Sequence, residues 1–124
     1  MRRLPRIRDY DNLVLPNGAR KCRNCDKQVG RGRRYYCSEE CLREFTEDHT
    51  WAPVRAFVLK RDRYRCSICN QRLRKSRLDV DHIVPIRMGG NPYDKENLRT
   101  LCKDCHKAKT RLDAWALNLN RTAP

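Results

Sequence analysis

Residues 81–109 read DHIVPIRMGGNPYDKENLRTLCKDCHKAK, and no other segment of the chain indicates as much about function. The segment begins with the adjacent pair Asp81 and His82, has Asn97 near its middle, and contains a second histidine, His106. A neutral imidazole is the natural general base near pH 7, and a carboxylate with an imidazole can hold a divalent cation.

The cysteines form a frame around this segment. The chain has 8 cysteines, and they fall into four pairs at the spacing of metal ligands. The pairs are Cys22 with Cys25, Cys37 with Cys41, Cys66 with Cys69, and Cys102 with Cys105. Disulfides are the alternative, which a reducing compartment would exclude. The pattern favours two tetrahedral zinc sites, each with four cysteine ligands.

The compartment is predicted from the apolar residues. The N-terminus, MRRLPRIRDYDN, is basic and then polar, unlike a signal peptide, and no stretch is long enough to span a membrane. We therefore expect an intracellular protein that is not secreted and has no membrane partner. Its 124 residues, 35% charged and 7% aromatic, allow one compact domain or two very small ones with a thin core. Such small folds usually need a staple, and two structural zinc ions would provide it.

The charge points to a polyanionic partner. The formal net charge is +14, and residues 55–77 contain nine Lys or Arg against one acid, Asp62. A solvated face is the alternative interpretation, but such a face would normally mix both signs. Counterion release makes a basic cluster attractive to nucleic acid, so we expect contacts to a phosphate backbone. Charge alone does not separate DNA from RNA.

The order of segments predicts a small, zinc-stabilised α+β fold. Residues 1–20 form a basic N-terminal arm with little regular structure and a turn at Asn17-Gly18. Residues 21–50 form a four-cysteine zinc module similar to a treble clef. Its expected parts are a knuckle, a short strand at Tyr35-Tyr36, and a helix that is N-capped by Ser38 and carries the second cysteine pair. Residues 51–62 form an amphipathic connecting helix.

Residues 63–117 are predicted to form a ββα unit. The first strand runs from Leu78 through Ile83-Val84, and a loop with Gly89-Gly90 and Asn91-Pro92 follows it. The second strand is Leu98–Leu101, the helix runs from Asp104 to about Leu117, and 118–124 form a tail. Adjacent strand residues point to opposite faces, yet Asp81 and His82 must serve one phosphate. The first strand should therefore end or distort at His82.

Together, the cysteine frame and the order Asp81-His82, Asn97, His106 resemble the HNH endonuclease family, whose site is a ββα-metal finger. The resemblance implies that His82 is the general base, that Asn97 braces the loop, and that Asp81 and His106 bind a catalytic divalent cation. Related nuclease toxins carry another histidine four residues along the helix, where this chain has Thr110. An Asp-plus-His site suits Mg²⁺ or Mn²⁺. Alternatively, His82 is a structural histidine and His106 a spare zinc ligand.

The resemblance thus predicts a metal-dependent DNA endonuclease, a phosphodiester hydrolase that nicks single strands with weak sequence preference. Arg87 in the loop and Lys107, Lys109 and Arg111 on the helix are candidate contacts to nucleic acid; exposed solubilising residues are the alternative for the helical three. Asp79 is a possible supporting residue of the metal site.

Alternatives remain open at this level. One is a non-catalytic zinc-binding module that binds DNA or serves as an adaptor, and another is an RNA nuclease. The longer order, a cysteine unit ending YYCSEECLREF followed by a helix and the motif, resembles annealing-helicase endonucleases and stand-alone prokaryotic and phage proteins. A helicase or another protein is therefore a possible partner, and the chain is a monomer or a dimer.

Overall fold

The computed structural model describes the backbone of residues 4–122 and the side chains of residues 4–118. The first three residues of the predicted arm and residues 123–124 of the predicted tail lie outside the described residues. The chain divides into two compact units, Leu4–Pro53 and a unit that begins at Val54. Among the described helices, none combines the length and apolar character needed to cross a bilayer.

The first unit is built around its cysteines. Its buried core contains Cys22, Val29, Tyr36, Cys41 and Phe45. Because two of these five residues are candidate metal ligands, the apolar core of this unit is thin, as the composition predicts.

Helix α1 (Glu39–Asp48) belongs to this unit. Ser38 caps it as predicted, since its side chain accepts a hydrogen bond of 3.1 Å from the Cys41 amide. Glu39 and Glu40 lie in the first turn, where negative charge interacts favourably with the helix dipole. The cap therefore fixes the start of α1 and with it the position of Cys41 in the first turn of the helix.

Three local predictions for this unit have clear outcomes. Tyr35-Tyr36 is not a strand: the Tyr35 carbonyl accepts one hydrogen bond from the Arg23 amide, and no ladder forms. Cys37 precedes the helix rather than lying on it, because Ser38 is the cap. The turn at Asn17-Gly18 is confirmed, with Gly18 at φ 81° between the bridged residues 14 and 20.

The second unit contains the ββα arrangement. Strand β1 (Leu78–His82) pairs antiparallel with β2 (Leu98–Cys102), so that Leu78 faces Cys102 and His82 faces Leu98. Helix α3 (Lys103–Thr122) follows β2 directly. Helix α2 (Trp51–Arg61) spans the division between the units and contributes Val54 and Val58 to the buried residues of the second.

Alternation along β1 separates its two faces. Leu78 and Val80 are buried, so Asp79 and Asp81 lie together on the opposite face. Complete burial of an aliphatic side chain such as Leu78 contributes about 1.5–3 kcal/mol, which fixes the register of the strand. The register in turn determines that the carboxylates of Asp79 and Asp81 lie on the face of β1 opposite Leu78 and Val80.

The ends of two elements differ from the sequence prediction. Strand β1 ends at His82, as the geometry of the Asp81-His82 pair required, so Ile83-Val84 lie outside it and are exposed. Helix α3 continues to Thr122, beyond the predicted end near Leu117. No Gly or Pro occurs between 103 and 122 to stop it, and five residues of the expected tail are therefore helical.

Candidate functional site

The imidazole of His106 lies between two carboxylates of β1. His106 is in the first turn of α3, and its Nδ1 is 2.8 Å from Oδ2 of Asp79. Its Nε2 is 3.5 Å from Oδ1 of Asp81. The shared face of β1 and the start of α3 thus bring Asp79, Asp81 and His106 together.

Asp79 determines which nitrogen of this ring carries the proton. Burial alone would raise the pKa of Asp79, but hydrogen bonds from Lys103 and His106 outweigh it and hold the pKa below its usual value. Lys103 Nζ is 2.5 Å from Oδ1 of Asp79. An ionised carboxylate only accepts hydrogen bonds, so Nδ1 of a neutral His106 is the protonated nitrogen. The lone pair on Nε2 then faces Asp81.

The spacing of Asp81 and His106 fits two ligands of one cation. Their facing atoms are 3.5 Å apart. Two ligands at about 2.1 Å from one octahedral ion, at right angles to each other, lie roughly 3 Å apart. Over the described residues, the groups of three or more potential ligands are the two cysteine clusters. Water and substrate would therefore have to complete the coordination beside Asp81 and His106.

Lys109 corrects the expectation of an exposed phosphate contact. The residue is only 8% exposed. Its Nζ donates to the His82 carbonyl at 2.6 Å and to Oδ2 of Asp113 at 2.5 Å. Oδ2 of Asp81 lies 2.9 Å from the same nitrogen. The ammonium group therefore points into the protein, toward the two residues at the end of β1.

The other predicted cations of the helix border the site. An open depression of about 430 Å³ is lined by Asp79, Lys103, His106, Lys107, Thr110 and Arg111. Lys107 and Arg111 are exposed there, and Thr110 occupies the position of the absent third histidine. Arg87 is exposed on the short turn Ile86–Met88 and is not among the residues that line this depression.

His82 occupies the end of β1 with its ring held by the loop. Nε2 of His82 is 3.0 Å from the Pro92 carbonyl oxygen. A carbonyl only accepts, so this hydrogen bond requires the proton on Nε2. In the neutral ring, Nδ1 is then the basic nitrogen. The backbone thus selects the tautomer of His82, as Asp79 does for His106.

Asn97 ties the two sides of the loop together. Its Oδ1 accepts from the Val84 amide at 2.8 Å, and its Nδ2 donates to the carbonyls of Val84 at 3.1 Å and Asn91 at 3.2 Å. Gly90 packs against the same point, because a Cβ there would lie 1.8 Å from the Val84 oxygen. The loop that holds His82 is therefore fastened by one amide side chain and by one residue without a side chain.

The cysteines form two clusters, each able to hold a metal ion. Within each cluster, the sulfur atoms lie within 4.8 Å of one another. The clusters are Cys22, Cys25, Cys37 and Cys41, and Cys66, Cys69, Cys102 and Cys105. Four thiolates at about 2.3 Å from one zinc ion lie roughly 3.8 Å apart, so both clusters suit this metal.

Backbone amides support the cysteine sulfurs. The Cys37 amide donates to Sγ of Cys22 at 3.3 Å, and the Cys69 amide to Sγ of Cys66 at 3.5 Å. Burial raises the pKa of Cys22 and Cys66, but the amide donors outweigh it and lower each pKa to about 6. The thiolate, which is the metal-binding form, is thus favoured at neutral pH for these two cysteines, whereas neighbouring sulfurs raise the pKa of Cys37 and Cys105.

The basic cluster of residues 55–77 has two parts. Arg55 and Arg61 are structural, since their guanidinium groups donate to the carbonyls of Leu78 at 3.2 Å and Leu98 at 2.7 Å. Other members surround a second open depression, which is lined by Lys60, Arg63, Tyr64, Arg65 and Arg72. Arg74, Lys75 and Arg77 are exposed as well, so the accessible charge of the cluster lies on these three residues and around the depression.

Comparison with known proteins agrees with the geometry. A family model described as HNH endonuclease matches residues 66–112. A protein of Lactococcus phage SK1 named "Probable HNH endonuclease" is 37% identical over 68 residues, which cover 48% of this chain and 68% of the phage protein. No solved structure matches the chain.

Proposed function

This chain belongs to the HNH endonuclease family, and from that premise we propose that it is a metal-dependent nuclease that nicks DNA. The observation that carries the proposal is the 3.5 Å approach of His106 Nε2 to Asp81 Oδ1, next to His82 at the end of β1. A cation ligand pair and a candidate base are thus adjacent in the second unit. This is the minimum equipment for phosphodiester hydrolysis.

Asp81 and His106 are the residues that would hold the catalytic Mg²⁺ or Mn²⁺. When bound, the cation supplies positive charge to the scissile phosphate and the leaving oxygen. Oδ1 of Asp81 and Nε2 of His106 already face each other, and Asp79 keeps the His106 lone pair on the required nitrogen. Little reorganisation of these side chains is needed on binding.

His82 is the proposed general base. With its Nε2 proton held by the Pro92 carbonyl, its Nδ1 is the atom that would take a proton from the attacking water. Asn97 acts one step away, by fixing the loop that contains Pro92 through Val84 and Asn91. Attack by water on phosphorus, with cleavage of the bond to the 3′ oxygen and uptake of a proton by that oxygen, would leave a 5′-phosphate and a 3′-hydroxyl, as in the family.

DNA is the proposed substrate, and its phosphates are the proposed contact points. Lys107 and Arg111 border the site, and Arg87 is exposed on the loop. Such contacts carry no base information, so we expect weak sequence preference and binding that weakens steeply with salt. The net charge of +14 would speed encounter with DNA. The two cysteine clusters are proposed to hold structural zinc.

A plasmid-nicking assay tests the proposal. Zinc-loaded wild type should convert supercoiled plasmid to the open circle with Mg²⁺ or Mn²⁺ and not without added metal. Omitting the metal is preferable to chelation, because loss of zinc would unfold the protein. His82→Ala should slow nicking about 10²–10⁴-fold, the usual contribution of a general base.

The controls separate the possible outcomes. His82→Ala must retain the zinc content and the Mn²⁺ affinity of wild type, because His82 is not a proposed ligand. Nicking that survives His82→Ala would remove His82 as the base. Plasmid binding by wild type without cleavage in either metal would instead indicate the non-catalytic DNA-binding module.

A further inference from the structure

Lys109 is buried beside the residues of the proposed site without facing the solvent. A lysine is almost never buried unless its charge is compensated. Here the ammonium group has three oxygen neighbours: the His82 carbonyl at 2.6 Å, Asp113 at 2.5 Å and Asp81 at 2.9 Å. Two of the three belong to the adjacent residues at the end of β1.

Because of the contact with Lys109, the two oxygens of the Asp81 carboxylate have different neighbours. Oδ1 is the oxygen that faces His106, whereas Oδ2 lies against Lys109. Oδ2 is buried and has no well-directed hydrogen bond, so the nearby ammonium charge compensates it. The carboxylate is therefore held in one orientation, with Oδ1 left for the cation.

The contact with His82 holds the backbone at the end of the strand. Side chains of adjacent strand residues point to opposite faces, and β1 must end at His82 for both residues to act on one phosphate. Lys109 holds the carbonyl of His82 from α3 while it also holds the side chain of Asp81. One side chain thus controls the geometry of the proposed ligand and the proposed base.

Stability alone does not explain this arrangement. Buried ionic groups can often be replaced by apolar residues of similar volume with no loss of stability, or with a gain. An i,i+4 pair such as Lys109 and Asp113 contributes only about 0.3–0.5 kcal/mol when it is exposed. A need to hold the Asp81 carboxylate in one orientation accounts for the position of Lys109 between Asp81 and Asp113.

We propose that Lys109, anchored by Asp113, is a positioning residue that orients the Asp81 carboxylate for the cation and fixes the backbone at His82. The proposal rests on the proposed function, because it assumes that Asp81 binds the cation. Lys109 has no route to the substrate, since it is buried, and it acts only through Asp81 and His82.

The principal test is the double variant Lys109→Met/Asp113→Leu, which leaves the net charge of the protein unchanged. Mn²⁺ binding to zinc-loaded protein is measured by calorimetry without DNA, and plasmid nicking is measured separately. Loss of an outer residue that orients a metal ligand typically weakens metal affinity or activity about 10–100-fold. We expect the Mn²⁺ Kd to rise by that factor, and nicking to stay below wild type even at saturating Mn²⁺.

Two further variants keep the test decisive. Asp113→Asn retains Lys109 but removes its anchor and its counter-charge, so Mn²⁺ binding should weaken at least about threefold through Coulomb repulsion. Its side chain is 29% exposed, and the variant should fold even if the double variant does not. Arg33→Gln/Glu39→Gln, which removes an exposed ion pair of the first unit, should match wild type in both measurements.

The outcomes distinguish this inference from the proposed function. Folded variants that keep their zinc content but bind Mn²⁺ with a raised Kd would support a positioning role. Wild-type Mn²⁺ affinity and nicking in both Lys109→Met/Asp113→Leu and Asp113→Asn would overturn it. A wild type that neither binds Mn²⁺ nor nicks DNA would overturn the proposed function itself.

Discussion

Nδ1 of His106 lies 2.8 Å from Oδ2 of Asp79, and this hydrogen bond directs the other ring nitrogen toward Asp81. Asp79, which is not part of the sequence motif, therefore determines the tautomer of His106, which is. In metal sites, a carboxylate that holds the distal nitrogen of a histidine ligand fixes its tautomer and increases its basicity. Asp79 is in the position to do so here.

Replacing Asp79 should change the His106 tautomer and weaken cation binding. In Asp79→Ala, the Nδ1 proton loses its acceptor, and we expect the Mn²⁺ Kd to rise about 10–100-fold. Asp79→Asn retains one acceptor oxygen and should give an intermediate value. Long-range ¹H–¹⁵N NMR of metal-free, zinc-loaded protein reads the tautomer directly. Glu96→Gln, an exposed carboxylate change, is the control, and an unchanged tautomer in Asp79→Ala would contradict the role.

Gly90→Ala should disturb the loop that holds His82. The added Cβ would lie 1.8 Å from the Val84 oxygen and 2.9 Å from Nδ2 of Asn97, so the backbone has to move. Overpacking of this kind typically costs about 1–3 kcal/mol, and nicking should fall more than stability alone explains. Urea unfolding and plasmid nicking measure the two effects.

Gly30→Ala is the matched control for this change. A Cβ at Gly30 meets nothing within 4 Å, and its φ is outside the left-handed region. The control should be neutral, or slightly stabilising because alanine restricts the unfolded chain. Equal effects of the two substitutions would mean that the contact between Gly90 and Val84 does not hold the loop.

The ligand frame was predictable because it is local in sequence. The spacing of the paired cysteines and of the residues from Asp81 to His106 can be read directly from the sequence. The two cysteine clusters assemble as that spacing indicates. Two-residue alternation also required β1 to end or distort at His82, and the strand ends there. These inferences needed only strand and knuckle geometry.

The supporting contacts were not predictable in the same way. Lysine is usually a surface residue, so the sequence indicates an exposed Lys109. Only the packing of α3 against β1 shows that its ammonium group is buried between Asp81 and Asp113. Arg55 and Arg61 likewise appeared to be part of a solvent-exposed basic cluster, yet both donate to backbone carbonyls far along the chain. Such contacts depend on tertiary distances that no short motif encodes.

Asp62→Asn should destabilise the second unit at neutral pH. Oδ2 of Asp62 accepts from the Thr100 amide at 3.0 Å, and Oδ1 accepts from Arg61 at 2.9 Å. Hydrogen bonds to charged groups contribute about 1.5–3 kcal/mol, so a loss at the lower end of that range is expected for this partly exposed residue. Urea unfolding of zinc-loaded protein measures the difference, with exposed Asp11→Asn, outside any helix, as the control.

The pH dependence of that difference has a definite sign. Burial would raise the pKa of Asp62, but Arg61 and the Thr100 amide outweigh it and lower the pKa of the folded state. Stability from a lowered pKa is complete above the unfolded value, about 3.9, and is lost as the pH falls through the folded value. The difference between wild type and Asp62→Asn should therefore be constant from pH 5.5 to 7.5. A difference that shrinks within this window would contradict the lowered pKa.

Removing one ligand from each cysteine cluster should have separable effects on metal content. Each cluster lies within one compact unit, so Cys22→Ser and Cys66→Ser should each reduce bound zinc from about two ions per chain to about one. Only Cys66→Ser should abolish Mn²⁺ binding, because Cys66, Cys102 and Cys105 hold the knuckle, the end of β2 and the start of α3 around one ion. Elemental analysis measures the zinc content, and calorimetry measures Mn²⁺ binding.

Loss of both zinc ions in Cys22→Ser would show that the units do not fold independently. Retention of two zinc ions in either variant would show that the substituted cysteine is not a zinc ligand.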